Sequence, residues 1–455
     1  MSFPFNNLKD LEQLAIKAGG CEYIRFSFTD FNGISRSKII PRRHFAKFSR
    51  VGMGMYAGTM AANPLSEVPA IPRVMELGHP DAILVPQPGT FHELPWAANG
   101  KYKMGEVLCE TYWNENSPQE ACPRAVAGRQ VARLRELGYK IMAASEIECQ
   151  MLDEATLEPV FPGQDAFVSN VMANFEELLC DIDSQLHSIG MDTETFQTEY
   201  GPGMFEITMN PVYDMDFADN CFIIKQGIKE ICQNKKIIAT FMSAPFEHYK
   251  QHPDFHAFIG AHFNHSVWDI GTGKNIFYDG TKANRLSDIA NYWIAGILAH
   301  APALTALQCP TVNCSRRMGQ SWCPDKSNWG IGSRESMLRV KNASESGTYI
   351  ENRLPSGAAN PYLILASTIA AGIDGIKNKI QLPKEADPDG PALPRSLDES
   401  LKILHEDTVI CEAFGQEFIE WFTIVKRDTE LANLKEGDPS PEAREAERQM
   451  YLRLI

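Results

Sequence analysis

Apolar and polar residues alternate from Tyr23 to Ile40, where IRFSFTDFNGISRSKII breaks once at Asn32-Gly33 and then resumes. Successive strand side chains face opposite sides of a sheet, and Asn-Gly favours the backbone of a tight turn, so the stretch predicts a β-hairpin. From Ala61 to Pro95 proline and glycine recur without helical periodicity. Together these features predict a small β-rich N-terminal domain over residues 1–115. Pro123 then opens an amphipathic helix, with Val126, Val131, Leu134 and Leu137 at helical spacing and Gly138 as its stop.

Beyond Gly138, strand-like runs at Tyr139–Met151, Phe205–Met209, Ile237–Met242 and His262–Trp268 alternate with helical patterns near 168–188, 216–234, 283–307 and 359–379. Strands interleaved with helices imply one large domain, residues 116–455, in which a sheet carries helices on its outside. Helical patterns return from Leu397 to Ile455, after a Pro- and Asp-rich loop at 383–394. The fold class expected is α+β, with two domains of unequal size, and 455 residues exceed what one core usually supports.

Charge narrows the function. There are 43 Lys and Arg against 58 Asp and Glu, a net charge of -15, which repels nucleic acid and anionic membranes and favours small-molecule chemistry. The start of the chain lacks a cationic and apolar leader, and no segment approaches a membrane-spanning apolar run. Eleven cysteines without a CxxC pair fit reduced thiols better than a disulfide framework. A soluble cytoplasmic protein is expected, with Cys309 and Cys314 as packing residues.

Six candidate metal ligands stand in otherwise apolar, strand-like segments: Glu146, Glu148, Glu199, Glu206, His262 and Glu351. Buried carboxylates are costly unless cations or hydrogen bonds compensate them. In ASEIECQML the two acids are two apart, so they share a strand face; a solvated acidic edge is the plainer reading of that motif alone. Glu199 and Glu206 flank Gly201-Pro202-Gly203, which is equally a surface hairpin with charged shoulders. His262 shares its face with Asn264 and Ser266, and Glu351 lies two residues from Arg353. Five carboxylates with one imidazole suit Mg or Mn rather than Zn. Arg317, Arg334, Arg339 and Arg353 add groups for phosphates and carboxylates. Neither GxxxxGK[ST] nor GxGxxG is present, so ATP would bind through neither a P-loop nor a Rossmann turn.

The ordered blocks FTDFNGISRSKIIP, SEIECQML, EYGPGMFEI, ATFMSAPF, GAHFNHSVWD, NCSRRM, WGIGSRESMLRV, YIENRLPSGAANPYL and AAGIDGIKNK resemble the bacterial-type glutamine synthetase superfamily from about Leu8 onward. LPWA, LPRSLDESL and FGQEFIEWF look most like lengsin-like animal proteins and γ-glutamyl-polyamine synthetases. The resemblance implies a β-grasp N-terminal domain, a catalytic domain and a ring-forming dodecamer of stacked hexamers, with active sites between neighbours. It implies two or more Mg or Mn ions per site, with ATP, glutamate and an amine as substrates. By position, Glu148, Glu199 and Glu206 match ligands of the metal beside the amino acid. Glu146, His262 and Glu351 match ligands of the metal on the ATP phosphates. Asp30 and Arg334 match catalytic positions, Asp30 lending charge to the neighbour's amine site. Gly260, Arg317, Arg334 and Arg353 match substrate contacts; Asn264, Ser266 and Arg339 match ATP contacts.

Several positions depart from the family pattern. Cys323 and Pro324 stand where ammonium-using members carry a flap glutamate, Asn264 where they carry a second histidine, and Ala244 where they carry a lysine. Phe258 stands in the loop that grips glutamate, where a bulky ring would fill part of the pocket. Three readings follow: a glutamate-amine ligase whose amine is larger than ammonia, a non-catalytic lengsin-like ring or binding protein, and a true glutamine synthetase. The intact ligand set favours the first, and the damaged loop favours the second.

Overall fold

The alternating N-terminal segment pairs as expected. In the computed structural model, which describes residues 8–114, 116–245, 257–320, 322–387 and 390–455, β1 (Tyr23–Thr29) runs antiparallel to β2 (Ser35–Pro41). The connection is a five-residue loop rather than a two-residue turn, because Asp30 organises it. Its Oδ1 accepts the backbone N–H groups of Asn32 at 2.9 Å and Ile34 at 3.0 Å. Gly33 closes the loop at φ 76°, a left-handed conformation that suits glycine. Residues 1–7, Phe246, and 388–389 of the Pro- and Asp-rich loop lie outside the described residues.

The first sheet continues with β3 (Met53–Tyr56), β4 (Asp81–Pro86), β5 (His92–Glu93), β6 (Met104–Asn114) and β7 (Ser117–Pro118). Its strand order is β2-β1-β6-β4-β3, with β1 parallel to β6 and both β5 and β7 paired to β6. A helix at Leu8–Lys17 precedes it; the alternating pattern predicts neither this helix nor β6.

The second sheet contains β8 (Tyr139–Asp153), β9 (Thr193–Thr198), β10 (Met204–Met209), β11 (Val212–Tyr213), β12 (Ile237–Thr240), β13 (Ala261–Asp269), β14 (Trp329–Ile331), β15 (Leu338–Asn342) and β16 (Thr348–Asn352). Its order is β14-β15-β16-β13-β8-β10-β9, and β11 and β12 also pair with β8. The helix expected over 168–188 is two helices, Ser169–Met172 and Glu176–His187. The helix expected over 216–234 is Met215–Asn234, and the one expected over 283–307 begins later, at Asp288, where the Ser287 hydroxyl accepts the Ala290 N–H and caps it.

That helix, Asp288–Gln308, packs on Pro361–Asn378 so closely that the two backbones meet. A Cβ at Gly296 would lie 2.2 Å from the Ala371 carbonyl, and one at Gly375 2.0 Å from that of Tyr292. Both glycines are therefore required by the approach of the two helices. The same pair is pinned at its side by His300, whose Nδ1 meets Asp407 at 2.6 Å and whose Nε2 meets Asp374 at 3.1 Å.

Asn360 joins the sheets. Its amide donates to the Asp30 carbonyl at 2.9 Å and to Thr29 at 3.2 Å, while its oxygen caps the helix at Tyr362 N–H. Lys426, fully buried, donates to Asn32 and Glu430, and Tyr451 donates to the other oxygen of Glu430. The C-terminal helices thus hold the hairpin loop from the far side. All eleven cysteines are free, and no described helix is long and apolar enough to cross a membrane.

Two outcomes are expected. Gly375→Ala lowers unfolding free energy by about 1–3 kcal/mol, because two rigid helix backbones must separate; urea denaturation measures it. Burial disfavours the charged form of His300, but Asp407 and Asp374 outweigh it and raise its pKa above 6.5. The pin is then fully stabilising below the unfolded value and lost as pH rises through the folded one. The stability gap between wild type and His300→Asn should be larger at about pH 6 than at about pH 9.

Candidate functional site

The second sheet presents one polar face, and strand register decides what meets on it. Side chains two apart share a face, so β8 offers Glu146 and Glu148 together. Glu146 lies opposite His262 of β13, and Glu148 opposite Glu206 of β10. Glu351 of β16 lies between Asn264 of β13 and Arg339 of β15. A cavity of about 730 Å³ opens over this face, lined by the six expected ligand residues and by Arg317, Arg334, Arg339 and Arg353.

One end of the floor forms a compact ligand cluster. Glu146, His262 and Glu351 each offer an atom within 4.8 Å of the others. His262 Nδ1 meets Glu146 at 3.0 Å, and Asn264 donates to the other Glu146 oxygen at 3.2 Å. Burial would raise the Glu146 carboxyl, but these hydrogen bonds and the His262 and Arg353 charges hold it down at about 2. Glu351 is gripped by Arg339 at 2.9 Å and by Arg353.

The other end is closed differently. Gln197 of β9, opposite Glu206 in register, donates through Nε2 to Glu199 at 2.7 Å and to Glu206 at 3.0 Å. Tyr200 N–H holds the other Glu199 oxygen at 3.2 Å, and Gly260 N–H holds Glu148. Burial, and then the charges of Glu148, Glu146 and Glu199, push Glu206 up to about 9. Burial and Glu148 raise Glu199 as well. Crowded carboxylates that cannot all ionise are the environment a hard divalent cation relieves.

The remaining expected residues divide. A Cβ on Gly260 would meet Arg317, His262 and Glu148, three cavity-lining residues, at 3.0–3.2 Å, so its backbone packs directly against them. Phe258 lines the cavity. Two residues are not brought to it. Ser266 is buried and accepts the Trp268 indole N–H at 2.9 Å. Asp30 is fully buried inside its own hairpin loop, with its second oxygen on Arg36 at 2.9 Å, so it has no exposed oxygen to lend a neighbour. Burial, opposed by Arg36, raises its carboxyl to about 6. Cys323 packs in the hydrophobic core, not at the cavity mouth.

Sequence reading missed Gln197, Lys341, Phe167, Tyr200 and Trp322, all on the cavity wall. Lys341 was legible as the residue two beyond Arg339 on the same strand. Gln197 became significant only through its register with Glu206.

A family model described as the glutamine synthetase catalytic domain matches residues 120–449. The chain belongs to the glutamine synthetase family. Among its relatives in that family, lengsin from Rattus norvegicus is 30% identical over 89% of this chain and 72% of its own length. A γ-glutamylanilide synthase from Acinetobacter sp is 27% identical over 96% and 94%. A solved structure of a GmaS/ADP complex matches with a TM-score of 0.81 at 25% identity, covering 95% of this chain and 98% of the other.

A divalent cation fits the residues present. The cluster supplies hard oxygens and one imidazole, and the Asn264 Oδ1 acceptor beside it is buried without a hydrogen-bond partner among the described residues. Manganese at about a hundred times its dissociation constant should stabilise the wild type by about 2.7 kcal/mol. Glu146→Gln should remove most of that gain; an unchanged melting shift with manganese would refute the cluster as a metal site.

Proposed function

We propose that the protein is an ATP- and Mg- or Mn-dependent ligase that joins the γ-carboxylate of glutamate to an amine other than ammonia, through γ-glutamyl phosphate. The observation that carries this reading is the single polar face on which an acidic ligand cluster and four cavity-lining guanidinium groups converge. Such a surface suits a nucleotide and an amino acid held together, because cations neutralise carboxylates while arginines grip phosphate and carboxylate oxygens. Relatives named as a γ-glutamylanilide synthase and a glutamate–isopropylamine ligase support an organic amine.

In this reading Glu146, His262 and Glu351 hold the metal on the ATP phosphates, and Glu148, Glu199 and Glu206 hold a second beside the amino acid. Bound divalent cations supply charge neutralisation for the transferring phosphoryl group. Arg317, held by the carbonyls of Leu354 at 3.1 Å and Arg353 at 3.2 Å, is fixed in orientation and receives the γ-carboxylate. Arg334, exposed on the cavity rim, meets the phosphoryl oxygens. Arg339 contacts ATP phosphate and Arg353 the α-carboxylate. Gly260 allows glutamate to approach the backbone, and Asn264 faces the nucleotide.

The family is oligomeric. We infer a β-grasp N-terminal domain over residues 1–115, a catalytic domain over 116–455, and a dodecamer of two stacked hexamers in the cytoplasm. A second reading, a lengsin-like assembly without turnover, draws on the likeness to lengsin and on Asp30, whose carboxylate is spent inside its own loop. True glutamine synthesis is disfavoured by Cys323 at the flap position.

Release of ADP with Mg, glutamate and a panel of amines decides among them. Arg334→Ala should lower kcat/KM by about a hundredfold, as expected for loss of one preorganised charge-stabilising group, with no change in Tm. Absence of turnover with every amine, in an intact assembly, would refute the ligase.

A further inference from the structure

Three large aromatic side chains on the cavity wall remain more than half exposed: Phe167 at 61%, Tyr200 at 59% and Trp322 at 58%. Such exposure is costly for apolar surface and marks a contact surface when several rings share one cavity. Two of them stand on strained backbone, Phe167 at φ 61° and Trp322 at φ 63°. Bulky residues rarely adopt this left-handed region, and the cost is tolerated where a side chain must be presented.

Each ring is tied to the polar floor through its backbone. Tyr200 N–H holds Glu199, and the Trp322 carbonyl accepts from Arg353 at 3.2 Å. Phe167 N–H donates to Thr198, two residues before Tyr200, at 3.1 Å. Among the described residues none of the three rings stacks on another. Beneath them Met204 lines the cavity and belongs to a small apolar cluster with Ala257 and Ile259, separate from the main core.

We infer that Phe167, Tyr200 and Trp322 form a clamp for the ring of a primary arylamine, the amine that this ligase joins to glutamate. The inference rests on the ligase reading above and names its second substrate. An alkylammonium must lose a proton before it can attack, which needs a free base. The flap position carries Cys323, buried in the core, in place of a carboxylate. An arylamine needs no such base, because its nitrogen lone pair is delocalised into the ring and stays unprotonated at neutral pH. Its flat ring gains from aromatic faces what it lacks in charge.

The step balances without any further reagent. The nitrogen lone pair forms the bond to the acyl carbon of γ-glutamyl phosphate. The carbon–oxygen bond breaks, its electron pair leaves on inorganic phosphate, and that phosphate takes the one proton lost from nitrogen.

The test compares aniline with cyclohexylamine, which has the same ring size but a basic nitrogen, and with putrescine and ammonium. Full-length protein is assayed with Mg, ATP and glutamate. Aniline should give the highest kcat/KM and a rate nearly flat with pH, whereas cyclohexylamine should gain about tenfold per pH unit, following its neutral fraction. Trp322→Ala should raise the aniline KM about tenfold with little change in kcat, and Trp322→Phe should restore it. Preference for putrescine or ammonium, or an aniline KM unmoved by both Trp322→Ala and Phe167→Ala, overturns the clamp. Dissociation of the assembly by Trp322→Ala with aniline KM unchanged also overturns it, by making the ring a subunit contact. Hydroxylamine, which traps acyl phosphates, separates the two readings: no hydroxamate means the ligase reading fails. Saturation-transfer NMR then decides the clamp alone. Aniline signals lost on Trp322→Ala uphold it, and no aniline binding to wild type overturns it.

Discussion

Glu148 and Glu206 face each other across two hydrogen-bonded strands, with Glu146 two residues away and Glu199 at the next strand's end. Like charges directly opposite on a sheet are destabilising, and burial makes the conflict worse. The rest of the site is organised around that conflict. Arg339 and Arg353 neutralise Glu351, His262 and Asn264 satisfy Glu146, and the Gln197 amide separates Glu199 from Glu206. These compensations arrive from β9, β13 and β15 and from the end of β16, so the arrangement exists only when those four strands hold register with β8 and β10. A slip of one residue in any of them would turn its polar set away from the cavity.

The first sheet contributes rigidity to this arrangement from a distance. Asp30, Asn32 and Gly33 shape a loop that three partners engage, Asn360 at the start of a buried helix, Arg36 on β2, and Lys426 in the C-terminal helical region. Because these polar groups are buried and satisfy one another, removing one strands the others. The hairpin loop is thereby locked to the helices that back the second sheet.

The sequence carried the carboxylate set and most of the central strands, because residue spacing along a strand reveals a shared face before any partner strand is known. It also carried ten of the eleven charged or imidazole groups that meet in the cavity, all but Lys341, since ionisable residues in apolar segments are conspicuous. What it concealed depends on register and exposure. Gln197 is unremarkable until it lies opposite Glu206, and nothing in the sequence marks Trp322 as exposed. Asp30 misled in the opposite sense. The family resemblance matched it to a site position, yet its short side chain is the one suited to bond the loop's own backbone. The five-residue connection and its misplaced acid have one cause.

The contact between Gly296 and Gly375 bears on how such a protein can diversify. Where two helix backbones touch, neither position accepts even a methyl group, so the layer behind the sheet admits almost no variation in shape. Loops at the rim, by contrast, hang from that layer by a few backbone bonds. A substitution that reshapes the cavity without forcing those helices apart has therefore to fall among the rim residues, over a base that cannot yield.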